Sequence, residues 1–189
     1  MATPPRILAF AGSARRESFN RKLLAVVANA ASEAGAEVKV LDLNQWALPL
    51  YHGDLESEQG LPENARNLVE LIAGHHGLLI ASPEYNSMIT PLLKNTLDWC
   101  TRADDDPFPG RVAAVVSASP GRFGGLRSMT QARQLLAHLG CHVIPEQCIL
   151  PQADQAFDPA GQLTSERVQK SAENVARALV DVARKLHGL

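Results

Sequence analysis

Short, almost wholly apolar runs recur along the chain, separated by longer stretches in which apolar residues return every three or four positions. Three runs, "RILAFAG" from Arg6, "GLLIAS" from Gly77 and "RVAAVVSAS" from Arg111, are apolar nearly throughout, as expected of strands covered on both faces. A fourth, "EVKVLDL" from Glu37, alternates and suits a sheet edge, and a weaker fifth lies around "CHVIPEQCIL" from Cys141. Between them Phe19, Leu23, Val27, Ala30 and Ala34 keep helical spacing until Gly35 stops it. A second helix is expected from about Pro62 to His75. A third opens near Pro91, a residue suited to a first helical position, and includes "LLKNTLDWC". A fourth carries Leu126, Met129, Leu136 and Leu139 and stops at Gly140. The last carries Val168, Val175, Leu179, Val182 and Leu186, a stripe that should close the fold against the sheet.

Alternation of strand and helix predicts parallel strands joined by crossover helices, an α/β class. Two doubly wound orders satisfy it, the dinucleotide-binding one and the flavodoxin-like 2-1-3-4-5, and periodicity does not choose between them. With 189 residues, 46% of them hydrophobic, the chain suffices for one substantial core, so residues 1–189 are read as a single domain. A net charge of -2, from 18 Lys and Arg against 20 Asp and Glu spread along the chain, gives no basic face for nucleic acid. No apolar segment reaches the roughly 18 residues of a membrane span, and "MATPPRILAFAG" lacks a charged region leading into a long apolar one. The expectation is a cytoplasmic protein with no membrane segment. Cys100, Cys141 and Cys148 form no close pair, so they are read as reduced packing residues.

Ligands of doubly wound folds bind beyond the carboxyl ends of the strands, and three loops there are chemically unusual. In "FAGSARRESFN", Gly12 allows a turn, and Ser13, Arg15, Arg16, Ser18 and Asn20 bring hydroxyls, guanidinium groups and an amide to a helix N-terminus. Unpaired backbone N–H groups and the helix dipole make such a corner a phosphate site; the alternative is an ordinary cap by Ser18 with solvated arginines. The loop has neither the G-x-G-x-x-G of a dinucleotide site nor the lysine of a P-loop, which favours a mononucleotide phosphate.

In "SPEYNSMITPLLKNTLDW", Pro83 stiffens the backbone, Tyr85 offers an aromatic surface, and Asn86 tolerates a tight turn. Glu84 reads as a surface or interface carboxylate, because a general base would need a partner that the sequence does not show. The third loop, "SASPGRFGGLRSM", sets Gly121, Gly124 and Gly125 between a serine pair and a helix. Clustered glycines permit close approach to a flat ligand, or simply a flexible turn. Three such loops on one sheet edge favour a phosphorylated, planar cofactor.

The same residues resemble the NADPH-dependent FMN reductase family of flavodoxin-like oxidoreductases, which includes quinone, azo-dye and chromate reductases. The family motif G-S-x-R-x-x-S-x-N is met by Gly12, Ser13, Arg15, Ser18 and Asn20. Its P-E-Y-N followed by L-K-N-x-x-D-W is met by Pro83, Glu84, Tyr85, Asn86, Leu93, Lys94, Asn95, Asp98 and Trp99, and its serine- and glycine-rich loop matches "SASPGRFGG". The resemblance implies a flavodoxin-like three-layer sandwich, with a five-stranded parallel sheet in order 2-1-3-4-5. It implies FMN with its phosphate on Ser13, Arg15, Ser18 and Asn20, its ring against Pro83, Glu84, Tyr85 and Asn86, and Ser117 and Gly121 near the ring's polar edge.

It further implies an NAD(P)H oxidoreductase, with NADPH the more expected donor and a small second acceptor: quinone, azo compound, metal oxyanion or free flavin. No side chain is assigned as acid, base or nucleophile, since the flavin carries the chemistry. A homodimer or homotetramer is implied, with "PLLKNTLDW" at an interface where Glu84 or Asp98 pairs with a partner's cation. Tyr51 and Asp54 of "LPLYHGDLE" would rim the site, and Arg16, Arg122 and Arg127 are the candidates for a 2′-phosphate. The alternative is a flavodoxin-type electron carrier, against which stand Arg15 in the phosphate loop and the near-neutral charge. His75 and His76 are read as helix-end residues, the "DDD" run at Asp104 to Asp106 as a solvated turn, and Trp46 and Trp99 as packing or interface residues, with no metal site expected.

Overall fold

Two hydrophobic cores, one on each face of a parallel sheet, follow directly from strands in which every position is apolar. The computed structural model describes residues 3–189; Met1 and Ala2 of the N-terminal stretch lie outside them. The elements run β1 (Arg6–Ala11), α1 (Phe19–Glu33), β2 (Glu37–Leu41), a 3-10 turn (Leu43–Gln45), α2 (Gly53–Gln59), α3 (Glu63–Ala73), β3 (Gly77–Ala81), β4 (Glu84–Tyr85), β5 (Met88–Ile89), α4 (Pro91–Cys100), β6 (Val112–Ala118), α5 (Leu126–His138), β7 (His142–Val143), β8 (Cys148–Leu150) and α6 (Glu166–His187). The main sheet is ordered β2-β1-β3-β6-β7, with β8 also on β6 and all pairings parallel. This is the flavodoxin-like order, with the alternating run β2 at the edge as its pattern predicts.

The period of two divides each strand between the cores. Ile7, Ala9 and Ala11 of β1, Leu79 and Ala81 of β3, and Val112, Ala114 and Val116 of β6 face α1 and α6. Leu8 and Phe10, Leu78 and Ile80, and Ala113 and Val115 face the side that also holds Leu68 and Ile72 of α3, Leu93 and Leu97 of α4, and Met129, Ala132 and Leu136 of α5. Fully burying one such Leu or Phe is worth ~1.5–3 kcal/mol. Small residues let the helices lie close: α6 buries Ala172, Ala176 and Ala183 beside Val175, Leu179 and Val180.

Three features depart from the periodicity. The fifth strand is two pieces, β7 and β8, because Pro145 between them has no N–H to continue the ladder. Helix α2 buries no residue, so it leaves no apolar period to read. The segment Glu84–Ile89, expected to be a loop, is the antiparallel hairpin β4–β5. Its turn residues Asn86 (φ 51°) and Ser87 (φ 67°) both take the left-handed conformation that suits a two-residue hairpin loop. Among the described residues no helix is long and apolar enough to cross a membrane.

Burial accounts for the three cysteines, whose thiols it pushes up to about 12 at Cys100 and Cys141 and about 11 at Cys148. Trp99 is likewise fully buried, its indole N–H donating to Pro49 O at 2.7 Å. His75 bonds Leu71 O in the last turn of α3.

Candidate active site

The carboxyl ends of β1, β3 and β6 bring two of the three loops together and displace part of the third. After β1, Gly12 donates its N–H to Ala81 O at 2.9 Å, and a Cβ there would lie 2.7 Å from Leu93 Cβ. Glycine is therefore required by the closeness of α4, not by a left-handed turn. Thr90 caps α4 by accepting from Leu93 N at 3.2 Å and donates its hydroxyl to Gly12 O at 2.6 Å. Ser13 and Ser18 are buried; Ser13 Oγ accepts from Arg15 N, and Ser18 Oγ caps α1 by accepting from Arg21 N, each at 3.4 Å.

Asn20 is buried and bridges to β6, its Nδ2 donating to Ala118 O at 2.7 Å and its Oδ1 accepting from Ala118 N at 3.0 Å. Its first task is thus to fix the start of α1 against the end of β6. Arg21 pairs with Asp42 at 2.8 Å. The Asn44 backbone N–H and Arg21 together hold the Asp42 carboxyl below its usual range. Arg15 and Arg16 are exposed, and among the described residues neither guanidinium has an ion-pair or hydrogen-bond partner.

A cleft of about 210 Å³ is lined by Ser13, Arg15, Ser18, Phe19 and Asn20 on one side, Pro83, Glu84 and Tyr85 on another, and Ala118, Ser119 and Pro120 on the third. Larger hollows of about 520 Å³ beside α1 and about 700 Å³ between α2 and α3 lack this convergence of hydroxyls, an unpaired arginine and a helix N-terminus. The donor set fits a phosphate group: two buried serines at the mouth of α1 and an arginine, unpaired among the described residues, line the same cleft. At this volume the cleft is smaller than the ~300–1,000 Å³ that encloses a whole small ligand, so a planar ring would lie partly over its open side, beside Tyr85, 43% exposed.

The third loop departs from expectation. Ser117 is fully buried, donates to Ser82 O at 2.8 Å and does not line the cleft. Gly124 and Gly125 are buried too. A Cβ at Gly124 would meet Ile149 Cγ2 at 2.6 Å, and one at Gly125 would meet Ser117 Oγ at 1.9 Å, so both glycines serve packing within the chain. Gly121 is exposed and Asn86 forms the hairpin turn; neither lines the cleft. Ser119 and Pro120 do, and so does Phe19, whose helical spacing marks it as a core residue of α1.

Glu84 and Asp98 both have partners within the chain. Glu84 pairs with Arg127 at 3.1 Å, and Asp98 with Lys94 at 2.6 Å. Tyr51 and Asp54 do not line the cleft. Tyr51 packs edge-on against Trp99, ring centroids 5.1 Å apart, and donates to Glu56 at 2.9 Å. That bond pushes the Tyr51 hydroxyl up, while Arg102 first and Tyr51 second hold the Glu56 carboxyl below its usual range. Of the apolar residues of α4, Leu93, Leu97 and Trp99 are buried within this chain and Leu92 is half-buried, while Pro91 and Lys94 are exposed.

Residues 5–155 match the family described as NADPH-dependent FMN reductase. The chain belongs to that family. It is 31% identical over 189 residues to an NAD(P)H-dependent FMN reductase of Pseudomonas aeruginosa, covering 100% of both chains. It is 36% identical to the NAD(P)H:quinone oxidoreductase of Solanum tuberosum, covering 100% of this chain and 98% of that one. Among solved structures, the flavoenzyme NAD(P)H:(acceptor) oxidoreductase FerB of Paracoccus denitrificans superposes with a TM-score of 0.82 at 30% identity, over 96% of this chain and 98% of that one. An archaeal flavodoxin, at TM-score 0.64 and 6% identity, shares the fold. The family member described here is accordingly an NAD(P)H-dependent flavin oxidoreductase with FMN as its cofactor.

Proposed function

We propose that this protein oxidises NAD(P)H at an FMN held across the carboxyl ends of β1, β3 and β6 and reduces a small second acceptor, a quinone before others. The observation that carries the reading is the unpaired Arg15 guanidinium beside the buried Ser13 and Ser18 at the start of α1, in a cleft that Tyr85 also lines. When bound, FMN supplies hydride acceptance from a nicotinamide and electron donation to the acceptor. The chain's own residues bind and orient. Arg15, Ser13, Ser18 and the first N–H groups of α1 hold the phosphate, while Pro83 and Tyr85 wall one flank of the cleft and Ala118, Ser119 and Pro120 the other.

NADPH is the preferred donor in this reading, with Arg16 and Arg122 the exposed cations for its 2′-phosphate. Arg127 is committed to Glu84. The enzyme works as one domain in the cytoplasm, as a homodimer or homotetramer. Azo compounds, metal oxyanions and free flavin are the further acceptors to test. The experiment is steady-state oxidation of NADH and NADPH by the purified, FMN-loaded protein against a panel of these acceptors, with its mass in solution measured alongside. Turnover without an added reductase is expected, and none with any acceptor overturns the reading in favour of a carrier.

A further inference from the structure

Helix α5 begins without a cap of its own. Its N-cap residue is Gly125, at φ 87° and with no capping side chain, and Ser117 Oγ forbids any larger residue there because a Cβ would approach to 1.9 Å. The unpaired N–H groups of the first turn need a partner, and it comes from across the cleft. Glu84 Oε2, on the hairpin, accepts from Arg127 N at 2.9 Å and Ser128 N at 3.2 Å, and its Oε1 accepts from Arg127 Nη1 at 3.1 Å.

The same two segments are joined again beneath. Ser128 Oγ donates to Pro83 O at 2.7 Å and meets Ser82 Oγ at 2.6 Å. Arg127, after pairing with Glu84, donates to Ser87 Oγ at 3.3 Å and stacks 4.9 Å from the Phe123 ring centre. The Glu84 side chain, 13% exposed, is therefore a bracket between the hairpin that carries Tyr85 and the loop that carries Ser119 and Pro120.

We propose that Glu84 is a positioning residue for the ring end of the flavin site: its carboxylate caps α5 from the hairpin and so fixes the spacing of the two cleft walls. The inference rests on the cofactor site of the proposed function, and it concerns the ring end, where Arg15 concerns the phosphate end. The two are separable because riboflavin has the ring and no phosphate.

The flavin-free protein is titrated with FMN and with riboflavin by quenching of flavin fluorescence, and the bound flavin is examined by visible circular dichroism. Arg15→Ala should weaken FMN and leave riboflavin unchanged. Glu84→Ala should weaken both by about tenfold, as expected if about one molecule in ten still holds the cleft walls at the binding spacing, and alter the visible dichroism. Glu84→Gln keeps an oxygen for the two backbone N–H groups, so it should stay within about twofold of the parent. Glu84→Asp, whose carboxylate is drawn back by one methylene, should behave like the alanine variant and serves where alanine prevents folding.

Parental riboflavin affinity and dichroism in Glu84→Ala or Glu84→Asp would overturn the proposal. So would a loss in Glu84→Gln equal to that in alanine, which would assign the effect to the Arg127 ion pair. Failure of the parent itself to bind either flavin would overturn the cofactor reading, a result distinct from any of these.

Discussion

The close approach of Gly125 to Ser117 makes Gly125→Ala the sharpest test of how the third loop is built. A methyl group at Gly125 would stand 1.9 Å from Ser117 Oγ and 3.1 Å from its Cβ, with φ at +87°. Placing an L-residue in the left-handed region costs ~1–2 kcal/mol, and forcing atoms into a packed site adds ~1–3 kcal/mol. The expected loss is about 2–5 kcal/mol, or roughly 4–20 °C in melting temperature at ~2–4 °C per kcal/mol for a chain of this size. Thermal unfolding of the flavin-free protein by far-ultraviolet circular dichroism reads it.

The partner measurement is Ser117→Ala, which removes the offending oxygen and the buried bond to Ser82 O, at about 1 kcal/mol. In that background Gly125→Ala should cost about 1–2 kcal/mol less than in the parent, because the backbone strain and the Cβ contact remain while the worst overlap is gone. A shift below about 2 °C for the single variant, or equal costs in both backgrounds, would refute the packing account of this glycine. Because the first turn of α5 would be pushed off Glu84, flavin affinity should fall with stability.

Other consequences are as direct. Arg15→Ala should weaken FMN binding by about tenfold, the low end for a charged hydrogen bond at an exposed site, with the melting temperature of the flavin-free protein unchanged; equal affinity would place the phosphate elsewhere. Asn20→Ala removes both bonds to Ala118 and should cost about 2–4 kcal/mol by urea unfolding, whereas a loss under about 0.5 kcal/mol would mean α1 is held to β6 by packing alone. His76 Nδ1 accepts from Arg6 N at 2.9 Å, and its ring lies 4.8 Å from that of His187. Burial first, then His187, Arg6, Arg111 and His75, hold its pKa below the usual value, and burial does the same to His75. The unfolded chain therefore binds more protons once the pH nears about 6.5, so the urea midpoint should be flat above about pH 7 and fall as the pH drops below about 6.5. His76→Asn, which keeps an acceptor for Arg6 N, should reduce the fall; the same fall in both proteins would assign it elsewhere.

The apolar runs determined a parallel sheet covered on both faces with β2 at its edge, since a strand apolar at every position has to be covered on both sides and an alternating one belongs at an edge; which doubly wound order the strands take was decided by the fold. Local spacing also placed Ser13, Arg15 and Ser18 together at a helix N-terminus, and they stand there in space. What only the tertiary structure decided lies where contacts cross long sequence separations. Asn20 reaches Ala118, 98 residues away, and Glu84 reaches the start of α5 across 43 and 44. Neither partner is visible from spacing, so the bracing bonds of Asn20 and the capping bonds of Glu84 are read only from the fold. Ser117, Gly124 and Gly125 resemble ligand-binding residues in a string of letters because small and polar residues suit both a ligand and a tight packing joint. Which of the two they serve depends on what lies opposite, and here it is the chain itself: Ile149 and Pro151 against Gly124, and Ser117 against Gly125.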